Sequence, residues 1–397
     1  MAGIAALALA YVLSQFYRSF LAVLTPALTV ELGATKPELS FASGVWFIVF
    51  ALMQFVVGVS LDRFGPRRTA SILLALGGGG GALLFSVANS PAMISVAMGL
   101  IGAGCSPVLM APVFIFARTF SPARFAVLTS WFVAIGSLGN VVGATPLAAA
   151  VELFGWRPVM AGLGVFTLLV AAAVFVIVRD PEREETGSAG MGFSGYFELL
   201  RLKVLWPIIP LMAINYAPPA GIRGLWAGPY LAEVHGLDTL AIGNVTLFMA
   251  LGMVAGSFLY GPLDTIFGTR KWVAAIGNAI CLAAIVILAT VPLIGVPFAT
   301  ALFVVIGVAG MGYGMIMAHS RAFFPAHLTG RGVTLMNFFS IGGVGAMQFA
   351  TGGVVSAASV PGEPTAAYVA LFAFYALLLG ASLVIYMFAR DAKPGHG

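Results

Sequence analysis

The fold class the sequence predicts is an all-α integral membrane protein, and three observations predict it. Of 397 residues, 60% are hydrophobic and only 8% are charged, where an ordinary soluble domain carries roughly 25% charge. Mean hydropathy is +1.04. The apolar residues gather into runs of about 20, the length a helix needs to cross a bilayer. So little polar surface excludes a soluble enzyme, a nucleic-acid binder and a secreted scaffold. The net charge of +5 is explained by short basic loops that orient helices, without an anionic polymer as partner.

Punctuation at charges, prolines and glycines divides the chain into twelve candidate spans. They lie near 4–30, 39–61, 69–88, 92–117, 124–149, 157–178, 204–232, 240–263, 272–291, 297–319, 331–356 and 366–389. The runs are long and lack strict alternation, so helices are predicted over a barrel. The first run has no basic segment before it and outlasts the apolar stretch of a signal peptide, so a retained span is expected. The 49 glycines, among them Gly77 to Gly81 and Gly136, Gly139 and Gly143, suit close helix packing in lipid. Cys105 and Cys281 fall in apolar runs and read as small buried hydrophobes.

Basic residues are divided unevenly between the connections. The even-numbered ones and the C-terminal tail hold Arg63, Arg67, Arg68, Arg118, Arg124, Arg179, Arg183, Arg201, Lys203, Arg270, Lys271, Arg321, Arg331, Arg390 and Lys393. The odd-numbered ones hold Lys36 and Arg157. The positive-inside rule then places both termini in the cytoplasm, in a multi-pass protein of a bacterial inner membrane.

The polar stretch from Arg179 to Lys203 divides the chain into a six-helix bundle over 1–180, a linker over 181–203 and a second six-helix bundle over 204–397. A short amphipathic piece is expected near Phe193–Leu202. The halves repeat each other about 200 residues apart. Leu61-Asp62-Arg63-Phe64-Gly65-Pro66-Arg67-Arg68 returns as Leu263-Asp264-Thr265-Ile266-Phe267-Gly268-Thr269-Arg270-Lys271. Arg118-Thr119-Phe120-Ser121-Pro122 returns as Arg321-Ala322-Phe323-Phe324-Pro325, and Ala134-Ile135-Gly136 as Ser340-Ile341-Gly342. Three matches in register point to an internal duplication.

With these residues the chain resembles the major facilitator superfamily over its whole length. Gly58, Leu61, Asp62, Arg63, Gly65, Arg67 and Arg68 match that family's G-x-x-L-D-R-x-G-x-R-R loop between helices two and three. Gly261, Asp264, Gly268, Arg270 and Lys271 form a degenerate second copy. The resemblance implies two bundles working by alternating access, with these loops as latches and Arg118 and Arg321 beside them. An Asp at a helix C-terminus opposes the helix dipole unless a cation pairs with it, so such a cluster can close in one state and part in another. The drug/proton antiporter pattern is weak here. Met98 to Gly104 has no arginine, and the helix-five glycine pattern survives only as Gly136, Gly139 and Gly143.

All 14 acidic residues fall in loops or near helix ends. Two basic residues do not: Arg18, midway along the first run, and Arg223, midway along the seventh. Charge at that depth is costly and usually functional. A guanidinium accepts a carboxylate or phosphate in a two-pronged grip, so an anionic solute is the expected partner. Tyr11, Ser14, Arg18 and Thr25 share a helix face, with Gln15 beside it. Asn215, Arg223, Trp226 and Tyr230 are similarly placed around Pro218, Pro219, Gly221 and Gly224. Trp46, Gln54, Trp131, Asn140, Tyr313, Asn337 and Gln348 complete the candidate lining. Glu31, Glu233 and His319 are the groups that could couple a proton, and none is expected to.

The function expected is secondary or facilitated transport of a small organic anion: a carboxylate, a phosphate or a ring-bearing metabolite. A looser resemblance to flavin facilitators keeps a flavin open. The rivals are a drug or metabolite exporter and a transporter-like receptor that binds without moving solute. No Ser/His/Asp set, carboxylate pair or metal cluster falls at one depth, so neither an enzyme, a metal nor a cofactor is expected. Lipid and the solute are the expected partners, nucleic acid is not, and a monomer is expected.

Overall fold

The computed structural model describes residues 2–119, 128, 132–133, 135–181, 194–291, 293–325 and 328–392. Their regular structure is helical, apart from an isolated bridge between Val360 and Glu363. Nine described helices are long and apolar enough to span a membrane, or ten if one bent pair counts as one. The chain forms two compact units. One is Met1–Glu184 with Arg223–Leu247; the other is Glu185–Ile222 with Phe248–Gly397.

In the first unit, α1 (Ala2–Phe16) and α2 (Leu21–Leu32) are one predicted run bent by 51°. The bend falls on residues 17–20, which hold no proline, so nothing local in the sequence announces it. Gly33 closes α2 in the left-handed conformation. A reciprocal cap then starts α3 (Lys36–Leu61). The Glu38 N–H donates to Thr35 Oγ1, and the Thr35 N–H donates to Glu38 Oε2, satisfying two donors the first turn would orphan. Gly65 (φ 83°, ψ 163°) kinks the chain two residues into the next span, α4 (Arg63–Ser86). That φ is the reason only glycine suits the position, and the following Pro66 restarts a helix readily. Ser90 caps α5 (Pro91–Phe116) through the Met93 N–H. Then come α6 (Leu138–Val142), α7 (Thr145–Phe154) and α8 (Trp156–Ile177). Gly139 sits directly against the Val12 carbonyl of α1, where a Cβ would overlap it. That contact fixes α6 close to the first helix.

In the second unit, the predicted amphipathic piece is α9 (Ser194–Arg201), whose Leu199 packs with Leu328 and Leu335. The predicted run 204–232 is not one helix. It is α10 (Ile209–Ile214), α11 (Ala217–Gly221), a π-turn over Ile222–Trp226 and α12 (Ala227–His235). Pro218 and Pro219 lack the N–H groups that would bond it continuously. From Arg223 onward this run belongs to the first unit. The remaining spans are α13 (Thr239–Phe267), α14 (Lys271–Thr290), α15 (Val296–Arg321), α16 (Arg331–Ala358) and α17 (Pro364–Tyr386), close to their predicted bounds. Leu76, Val176, Phe258 and Leu377 are among the large apolar residues left exposed. That suits helices whose outer faces meet lipid.

Candidate functional site

The bend between α1 and α2 carries Arg18. Its guanidinium carbon lies 5.0 Å from the centre of the Phe50 ring and 5.6 Å from that of Trp46. These rings stack 5.2 Å apart. Their negative faces attract a cation without neutralising it. Among the described residues, no carboxylate lies within ion-pair range of Arg18. Among the described residues, Arg18 Nε, Trp46 Nε1 and Gln15 Oε1 are buried with no hydrogen-bond partner. A buried polar atom left unsatisfied is costly, so these atoms are open to a water, an ion or a ligand group. Ser14 lies one turn before Arg18, against the Cys105 thiol. The grouping thus offers two donors that favour an anion and an amide oxygen that favours a hydroxyl.

Arg223 is differently placed. It sits in the π-turn, 3% exposed. Its Nη1 donates to Asn140 Oδ1 at 3.1 Å and its Nη2 to the Asn140 main-chain carbonyl. π-Turns are rare and frequently found at functional positions.

The other predicted lining residues divide between the two units. In the first, Tyr11 stacks on Phe132 at 5.5 Å, and Thr25 bonds its own helix at the Leu21 carbonyl. Gln54 donates to the Phe50 and Ser106 carbonyls, so its amide ties α3 to α5. Trp226 and Tyr230 are fully buried, and the Tyr230 hydroxyl lies 3.2 Å from His235 Nε2. In the second, Asn215 donates to Asn278 Oδ1 at 2.7 Å and Tyr313 to Asn337 Oδ1 at 3.0 Å. Gln348 is buried beside Gly221 and Tyr375. Trp131 lies outside the described residues.

The three candidate proton couplers are engaged elsewhere. Glu31 accepts from Trp156 Nε1 at 2.8 Å, and Glu233 pairs with Lys36 at 2.6 Å. His319 Nε2 faces the Arg390 carbonyl at 2.7 Å and Nδ1 the Tyr386 hydroxyl at 2.6 Å. A carbonyl only accepts, so the Nε2 carries the proton and Tyr386 donates to Nδ1.

The two loop motifs share a contact that sequence reasoning missed. In the first copy, the Arg67 N–H donates to Asp180 Oδ1 at 2.8 Å. In the second, the Lys271 N–H donates to Asp391 Oδ1 at 3.0 Å. Each acid follows an arginine just after the last helix of its half: Arg179-Asp180 and Arg390-Asp391. That repeated dipeptide was the available signal. Partial burial pulls the Asp391 carboxyl up. The Thr269 hydroxyl and the Lys271 and Ala392 N–H groups pull it further down, so it titrates below the usual aspartate value. Asp264 pairs with Arg270 at 3.1 Å. Arg67 covers the Phe175 ring at 4.8 Å, and Arg63 the Phe64 ring at 5.4 Å. Arg68 and Arg321 are exposed. Gly58 and Gly261 have open space beside them. The side chains of Asp62 and Arg118 lie outside the described residues.

Helices of this length, apolar on their outer faces, define an all-α multi-pass membrane protein. The chain belongs to the Major Facilitator Superfamily, whose sequence pattern matches residues 7–220. It is similar to a probable L-galactonate transporter of Escherichia coli, 24% identical over 63% of this chain and 59% of that protein. It therefore spans about six-tenths of that relative's length. A sialic acid transporter of E. coli is 24% identical over 86% of this chain and 84% of its own. An E. coli hexuronate transporter is 22% identical over 69% of each. Among solved structures, a bacterial homologue of the human lysosomal transporter Spinster, inward-facing and occupied, superposes with a TM-score of 0.75. It shares 20% identity and covers 97% of this chain and 96% of that one. At that identity the likeness speaks for the fold.

Proposed function

We propose that the protein is a secondary transporter of a small organic acid bearing a carboxylate and hydroxyl groups, with Arg18 as the carboxylate anchor. One observation carries this reading: among the described residues, buried polar atoms without partners accompany an arginine that lies over aromatic rings and has no carboxylate within ion-pair range. Arg18 supplies the charge. Trp46 Nε1 supplies a directed donor, and Gln15 Oε1 an acceptor for a hydroxyl. Galactonate, hexuronates and sialic acid, the solutes named for relatives, all have this chemistry. The basic loops support an inner-membrane protein with cytoplasmic termini. The repeated motifs support bundles 1–180 and 204–397 as the moving bodies of alternating access, with the Asp264–Arg270 pair in the second latch. Glu31, Glu233 and His319 each have structural partners, so exchange or facilitated flux is the simplest transport mode.

The test is ligand-induced thermal stabilisation of the purified protein against sugar acids, simple mono- and dicarboxylates, flavins and lipophilic cations, with Arg18→Ala alongside. Ligand at about 100 times its dissociation constant adds ~2.7 kcal/mol. Stabilisation by hydroxylated acids that disappears in Arg18→Ala is the expected result. Stabilisation confined to neutral or cationic compounds and unchanged in the variant would sink the reading.

A further inference from the structure

Asn140 does something for Arg223 that an ordinary packing amide does not. From one residue it presents two oxygens, the side-chain Oδ1 and the main-chain carbonyl, to the two terminal nitrogens of one guanidinium. That is the arrangement in which a carboxylate grips an arginine. The residue is held rigidly in place, because the neighbouring Gly139 packs on the Val12 carbonyl of α1. Both partners are buried, Asn140 at 8% exposure and Arg223 at 3%. We propose that Asn140 is an internal stand-in for the solute carboxylate. It occupies Arg223 while the site is empty, and it gives the arginine up when an anion arrives.

Three features support an exchange rather than a permanent bond. Amide and peptide oxygens carry only partial charge, whereas a carboxylate brings a full one, so a carboxylate holds the same guanidinium more strongly. Arg223 lies in a π-turn shortly after Pro218 and Pro219, a segment where the helix is already interrupted because the prolines lack N–H groups to bond it. The other arginine, Arg18, lies in the same part of the fold, since Gly224, next to Arg223, packs against the Arg18 main-chain carbonyl; among the described residues its Nε is unpartnered, so an anion held there would lie in the neighbourhood of Arg223. In this scheme Arg223 reports occupancy, and Asn140 sets how tightly the empty state is held. The exchange rests on the organic-acid reading above, whereas the bond between Asn140 and Arg223 does not.

The test uses the full-length protein with Asn140→Asp and Asn140→Ser, each also combined with Arg223→Gln. L-Galactonate and D-glucuronate serve as probes. Asn140→Asp gives the stand-in a true charge, so the ligand-free protein should melt several degrees higher, and only while Arg223 is present. The same change should weaken probe binding several-fold, up to the loss that Arg223→Ala itself causes, because the anion must now displace an equal. Asn140→Ser removes the Oδ1 grip. It should lower the ligand-free melting temperature and tighten probe binding several-fold, since less of the protein is held in the arginine-occupied state. Probe affinity within twofold of wild type in both variants overturns the exchange. A melting shift equally large in the Arg223→Gln background overturns the stand-in itself. A wild type that binds neither probe overturns the exchange together with the organic-acid reading, and the Arg223-dependent melting shift still decides whether the bond exists.

Discussion

Arg18 and Arg223 each lie midway along an apolar run of the sequence, the first and the seventh, and the structure treats them differently. Arg18 stands in a proline-free bend, over two aromatic rings, with its Nε unpartnered. Arg223 stands in a π-turn behind two prolines and is gripped by both oxygens of Asn140. The same residue type at a similar place in an apolar run can therefore be put to different use by its surroundings. One cation is kept ready, and the other is already occupied.

The sharpest way to break this comparison is to remove each arginine separately. Arg18→Ala should weaken binding of a hydroxylated acid by about 30- to 150-fold, the worth of a charged bond of roughly 2–3 kcal/mol. Arg223→Ala should cost less than about tenfold, because its bond to the anion is offset by the bond it leaves. Equal losses on titration of both variants would show that the two sites are equivalent. A smaller effect separates charge from ring: Trp46→Phe keeps an aromatic face under Arg18 but deletes the N–H. Losing one neutral hydrogen bond, ~1 kcal/mol, should weaken the same ligand roughly fivefold.

The acids behind the two loop motifs allow a comparison of stability. Asp180→Ala and Asp391→Ala each remove an acceptor for a helix-starting N–H, a change typically worth about 1 kcal/mol, visible as lower melting temperatures. Asp391 also gives a pH signature. Its pKa is depressed in the folded protein, so its contribution is present above the ordinary aspartate pKa and is lost as pH falls through the lowered value. Acid melting curves should therefore converge for wild type and Asp391→Asn at the low end. The smallest effect belongs to Lys36→Ala. The Lys36–Glu233 pair is partly exposed, at 24% and 38%, so its loss should cost well under about 1 kcal/mol and vanish in high salt.

Most of the span pattern was legible because lipid enforces it: α8 and α14 fall within about three residues of their predicted runs. The bend at 17–20 was not legible, because helix direction there depends on packing and no proline marks it. Both arginines were legible as isolated charges in apolar runs. Their partners were not. Phe50 is one of 31 phenylalanines, and only the fold brings it to Arg18. Asn140 was found as a polar residue in an apolar run, yet its grip on Arg223 joins residues 83 positions apart. Gln54 shows the converse, since a buried amide that looked like lining binds carbonyls of two packed helices.

The Asp180 and Asp391 contacts bear on how the chain is assembled during synthesis. The Arg67 N–H waits for an acceptor 113 residues further on, and the Lys271 N–H for one 120 residues on. Neither motif can be completed until the last helix of its own half has left the ribosome and entered the bilayer. Loop-closure cost grows only slowly with length, by about 0.6 kcal/mol per doubling, so the order of synthesis is what delays these contacts. Each half thus carries its own finishing signal, an acid placed after the final helix. The first half can be sealed before the second has begun to emerge.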